Sequence, residues 1–105
     1  MPERTDRPDM DALLARILTE PTIGARILLA TARALEDDQP FLVLTPEDLA
    51  DALTKGTADA TANPALPDLV IEEGMLRAYA VLPEIRPGET AGEFALRLRD
   101  AARGL

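Results

Sequence analysis

Leu69-Val70-Ile71-Glu72-Glu73-Gly74-Met75-Leu76-Arg77-Ala78-Tyr79-Ala80-Val81-Leu82 is the stretch on which the fold class turns. Two readings compete. As a β-hairpin, Leu69 to Glu72 and Leu76 to Leu82 pair across Glu73-Gly74. The β-branched Val70 and Ile71 suit a pleated surface, and the glycine suits a tight turn. As a helix opened by Asp68, the same residues place Ile71, Met75, Ala78, Tyr79 and Leu82 on one face. The β-branched pair and the glycine favour the hairpin. The expected fold is therefore α+β and helix-dominated, with about four helices and a short β-hairpin at 69–82. Such an arrangement would be winged-helix-like; an all-α fold is the alternative.

Upstream, Thr45-Pro46-Glu47-Asp48 is a helix start: a hydroxyl cap, a proline at the first helical position and two acids in the first turn. The helix is expected over about 46–54, with Leu49 and Leu53 inward and Gly56 as its C-cap. Residues 57–67 then read as a long loop. Before that helix, Phe41-Leu42-Val43-Leu44 is a short apolar run, either a buried strand or an extended connector. Thr22 caps a helix over roughly 23–37. Two adjacent apolar rows there (Ile23, Ile27, Ala30, Ala34 and Leu28, Thr31, Leu35) mark it as the central helix. Asp9 caps an earlier helix over 10–19 with Leu13, Leu14, Ile17 and Leu18 on one face. Residues 1–8, with two prolines, read as a flexible lead-in to a single domain over 9–105.

Downstream, Thr90-Ala91-Gly92-Glu93 has the spacing of a capping box. It opens a last helix over about 91–103 that turns Phe94, Leu98 and Ala101 or Ala102 inward.

Composition narrows the chemistry. The 105 residues carry a net charge of −8 and contain no Cys and no His; Ser is absent as well. Nucleophile–imidazole arrangements and zinc sites built on His or Cys therefore have no residues to use. There is no phosphate-cradling glycine loop. Glu72-Glu73 and Asp37-Asp38 are neighbours in sequence and do not by themselves form a facing acid–base pair. These observations imply no catalytic residue, no metal, no cofactor and no enzymatic activity.

No segment is basic, and 41–68 sets Lys55 against five acids, so attraction to nucleic acid is disfavoured. No apolar run is long enough to span a membrane. With no leader-like run at the N-terminus, the expected compartment is the cytoplasm.

Elimination leaves a non-catalytic protein-interaction module: an adaptor, a regulatory subunit or a small self-associating protein whose partner is another protein or itself. An acidic inhibitor or antitoxin-like protein occupying a basic site is the alternative, and a winged-helix transcription regulator the second. The expected contact residues are Leu13 and Ile17 on the first helix and Phe41, Leu42, Val43 and Leu44 in the apolar run. Glu47, Asp48, Asp51 and Asp59 are the candidate acidic surface. A hairpin edge would offer a further contact by strand addition.

Overall fold

The structure, a computed structural model, describes residues 22–105. The expected helix over 10–19, with Leu13 and Ile17, lies outside the described residues. Four helices run through the rest: α1 (Ile23–Asp37), α2 (Pro46–Ala60), α3 (Asp68–Ala80) and α4 (Ala91–Arg103). Among the described residues there is no strand or sheet; the one β-type pairing is an isolated antiparallel bridge between Val43 and Thr90.

α1 is the hub and packs against all three other helices. Its apolar rows explain this, because Ile27, Leu28, Thr31, Ala32 and Leu35 are all buried. Thr31 satisfies its hydroxyl by donating to the Ile27 carbonyl at 2.7 Å, so a buried polar group costs nothing unpaired. α4 completes the core with Phe94, Ala95, Leu98 and Ala102.

The caps read from the sequence form. The Thr22 hydroxyl accepts from the Ala25 amide and the Thr45 hydroxyl from the Asp48 amide, each at 3.2 Å. Thr90 and Glu93 make the reciprocal capping box: the Glu93 amide donates to the Thr90 hydroxyl oxygen at 3.2 Å, and the Thr90 amide donates to the Glu93 carboxylate at 3.1 Å.

The α+β expectation is corrected: residues 69–82 are not a hairpin, and 68–80 form α3. With no hairpin there is no wing, so the winged-helix arrangement falls, and so does strand addition at a hairpin edge. The physical reason lies in Gly74 and Ala78, both buried and one helical turn apart. A side chain at Gly74 would bring its Cβ to 2.8 Å from the Ile23 Cβ. Gly74 is therefore a close-approach point between helices, and its place between two apolar runs imitates a turn. Asp68 in the first turn, Arg77 in the last and a Glu73–Arg77 ion pair at 2.7 Å also suit a helix.

The expected end of α2 at about residue 54 is corrected as well: the helix continues to Ala60 and does not end before Gly56. Gly56 is mid-helix, and a Cβ there would lie 2.6 Å from the Thr31 backbone nitrogen. The glycine lets α2 cross α1 at contact distance. The expected loop over 57–67 is reduced accordingly to 61–67.

Phe41 to Leu44 is a connector and not a buried strand: Phe41 and Leu42 lie in a turn closed by the Leu42 amide on the Gln39 carbonyl at 3.2 Å, and Val43 bridges Thr90. It is held against the start of α4 by the Leu44 amide on the Glu89 carbonyl at 2.8 Å, the Ala91 amide on the Leu42 carbonyl at 2.9 Å and the Gly92 amide on the Pro40 carbonyl at 2.9 Å.

Candidate functional site: an acid-rimmed groove with an apolar floor

The connector that leaves α1 turns back along the start of α4 before α2 begins. This leaves an open groove of about 260 Å³ between the C-terminal end of α1, residues 39–44 and the first half of α2. Leu35, Leu44 and Ala52 are buried in the core and form its floor. Leu42 and Val43 stand on its edge, both more than half exposed. Phe41 is next to them in the chain and is 90% exposed. The backbone bonds to α4 fix this apolar segment in place although its side chains face water.

The rim is charged. Asp48 and Asp51 stand on the first turns of α2, one turn apart, and Asp38 follows the end of α1. Lys55, one further turn along α2, also lines the groove. None of these three carboxylates is in an ion pair among the described residues. The last turn of α1 has no basic residue to offset its partial negative charge, and Asp37 and Asp38 add to it. Three carboxylates and one ammonium group thus line the groove, a local excess of negative charge.

Of the expected contact residues, the structure brings Leu42, Val43, Leu44, Asp48 and Asp51 together around this groove. Leu44, at 5% exposure, belongs to its floor. Glu47 is exposed on the first turn of α2 but does not line the groove. Asp59 is separated from it at the far end of α2, where it faces Arg26, Arg33 and Arg99 in a different concavity. Asp38, Gln39 and Lys55 were not anticipated. For Lys55 the signal was present, since 48, 51 and 55 share one helical face. For Asp38 and Gln39 it was not, because their position depends on how the connector returns along 89–92.

Beside the groove's α4 edge, the Glu89 carboxylate accepts from the Arg86 amide at 3.0 Å and from Arg97 at 2.7 Å. Arg97 also donates to the Glu84 carbonyl at 3.0 Å and lies 5.7 Å from the centre of the Phe94 ring. Arg99 pairs with Glu36 across α4 and α1. Glu93, bonded by the Thr90 backbone amide and hydroxyl, is held below its ordinary value of 4.5, with desolvation acting weakly the other way. Among the described residues no cluster of acids could hold a metal ion, and no helix is long and apolar enough to cross a membrane.

The fold and groove thus define a small helical chain with an open, mainly polar groove that has an acidic rim, a narrow apolar floor and an exposed apolar edge at Leu42 and Val43. No family model and no solved structure matches it. Over 80 residues it is 36% identical to a serine acetyltransferase of Salmonella typhimurium, an alignment that takes in 70% of this chain and 29% of that protein. The chain therefore spans less than a third of the relative's length. This match corrects the expectation that the chain has no enzymatic role, since the protein it resembles is an enzyme. His, Cys and Ser are missing from these 105 residues alone, and the relative is a much longer protein.

Proposed function

We propose that the chain is a protein-interaction module of an enzyme system that transfers an acetyl group to serine. The observation that carries the acetyl-transfer part is the 36% identity over 80 residues to a serine acetyltransferase. The interaction part is supported by the exposed Phe41–Val43 segment, fixed by backbone bonds to α4 beside a groove with an apolar floor. Exposed apolar side chains on a backbone already held in place are favourable to cover, because burying them removes apolar area from water and the backbone needs no further ordering. In this role the chain's own residues bind and position; attack of the serine hydroxyl on the acetyl carbonyl requires a proton acceptor and stabilisation of the oxyanion, and the groove residues are assigned to neither. The cytoplasm is the compartment this role implies.

The test is made in the host. The gene is removed, and the extract is assayed for acetyl transfer from an acetyl thioester to serine, with and without the wild-type chain restored. The expected result is a fall of roughly tenfold or more in acetylated serine, recovered on restoration. An extract whose serine acetylation does not change overturns the proposal.

A further inference from the structure

Resting on the interaction reading above, we propose that the groove docks a segment of a partner protein that carries an apolar anchor flanked by arginine or lysine. The apolar part of the occupant follows from the floor and edge. Leu35, Leu44 and Ala52 offer no hydrogen-bonding side chain, and Leu42 and Val43 add exposed aliphatic surface beside them. An aliphatic or aromatic side chain entering the groove would bury chiefly Leu42 and Val43, since the floor residues are already covered by the core.

The basic part follows from charge. Asp38, Asp48 and Asp51 face the groove against Lys55 alone, so carboxylates outnumber ammonium groups three to one. The three are not neutralised by ion pairs among the described residues, and the carbonyl end of α1 points the same way. An acidic segment would meet repulsion from all of these at once. A basic one gains in encounter rate and orientation. A guanidinium can bridge Asp48 and Asp51, which are one helical turn apart.

The experiment uses the full chain and two fluorescein-labelled helical peptides. One has a leucine face flanked by arginines; the other has the same leucine face flanked by glutamates. Fluorescence anisotropy at low and high salt should show the arginine peptide binding roughly tenfold or more tightly, with that advantage shrinking as salt rises. The double substitution Asp48→Lys, Asp51→Lys should weaken arginine-peptide binding by a similar factor. Leu42→Ser should weaken both peptides. Glu72→Lys, Glu73→Lys on α3 makes the same charge change away from the groove and should leave binding close to wild type. All these side chains are exposed, and circular dichroism confirms that helix content is kept.

Equal affinity for the two peptides overturns the proposal. So does equal weakening by both double substitutions, which would make the attraction one of net charge. Self-association abolished by Asp48→Lys, Asp51→Lys, without peptide selectivity, would make a second copy of the chain the occupant and overturn it as well. Peptide binding and serine acetylation in extracts are separate readouts, so the docking inference can fail while the acetylation proposal stands, and the reverse.

Discussion

α4 and α3 have the same length, thirteen residues, and both pack against α1, yet they are built in opposite ways. α4 is amphipathic. It buries Phe94, Ala95, Leu98 and Ala102 on one side and is closed at its start by a reciprocal capping box. α3 carries apolar side chains all round, starts after Pro67 with no side-chain cap, and buries only Gly74 and Ala78. Leu69 and Leu76 on its outer side are 78% and 72% exposed. One helix is held by large side chains filling a core, the other by a close backbone approach at Gly74 and Ala78, with Met75 partly buried against the core and the Tyr79 hydroxyl 3.1 Å from that of Thr57. The stability of the described fold should therefore be concentrated in α4 and its contact with α1.

The widest gap between the two helices is at their large side chains. Phe94→Ala removes the largest fully buried side chain, so it should cost about 3–5 kcal/mol. Leu76→Ala removes a side chain already in water and should change stability by less than about 0.5 kcal/mol. Urea denaturation of both variants at neutral pH is the check. Similar losses would mean that α3 has a partner surface that stabilises it, and the contrast would collapse.

The same contrast explains what could be read in advance. α4 was legible to its boundaries, because Thr90 and Glu93 mark its start and Phe94, Leu98 and Ala102 keep helical spacing. α1 was legible for the same reason. α3 was not, because its two fully buried residues, Gly74 and Ala78, are small, its apolar residues Leu69 and Leu76 stand outside the contact face, and Val70 and Ile71 suggest a strand. Gly56 misled in the same way: in sequence it resembles a helix end, whereas in space it is where α2 crosses Thr31. The groove was half legible. Asp48 and Asp51 lie on one face of a helix whose start was evident, and Leu42 and Val43 belong to a visible apolar run. That Asp38 closes the far side is a tertiary fact, set by the bonds from 40–44 to 89–92.

Ion pairs should divide the helices next. The Glu89 side chain is buried and depends on Arg97, itself only partly exposed. Arg97→Ala leaves that carboxylate without its charged partner and frees the Glu84 carbonyl. It should cost about 2 kcal/mol, less than for a fully buried pair because solvent reaches the arginine. Arg77→Ala on α3 breaks the exposed pair with Glu73 and should cost under about 0.5 kcal/mol. Equal effects in thermal or urea melts would show that the Glu89 network does not stabilise the 84–89 segment.

A third substitution tests the close-approach reading of α3 directly. Alanine is a better helix former than glycine by about 1 kcal/mol, so Gly74→Ala would stabilise a helix that packs loosely. Here the new methyl meets Ile23, and overpacking of this kind costs about 1–3 kcal/mol. The net expectation is a loss of about 1 kcal/mol. A gain in melting temperature would show that α3 moves away from α1 easily, and that Gly74 is not what fixes their distance.

The smallest effect concerns how the two helices begin. Thr90→Ala removes the cap of α4 and should cost about 1 kcal/mol. Pro67→Ser offers α3 the hydroxyl it lacks but gives up the proline's restraint on the unfolded chain, so the two changes should nearly cancel. The caps also differ in their response to acid. Glu93 is held below 4.5 in the folded chain by the bonds from Thr90. The stability this contributes is fully present above that pH and is lost as the pH falls through the lower folded value. Part of it depends on the Thr90 hydroxyl, so Thr90→Ala should lose less stability than wild type between neutral pH and pH values below 4.5. Thr90 is also bridged to Val43, and its neighbour Ala91 holds the Leu42 carbonyl. Acid that loosens the start of α4 should therefore loosen the groove edge before the core, and amide exchange at Leu44 and Ala91 should rise ahead of that at Leu98. Simultaneous exchange of all three would mean that the cap and the core open as one unit.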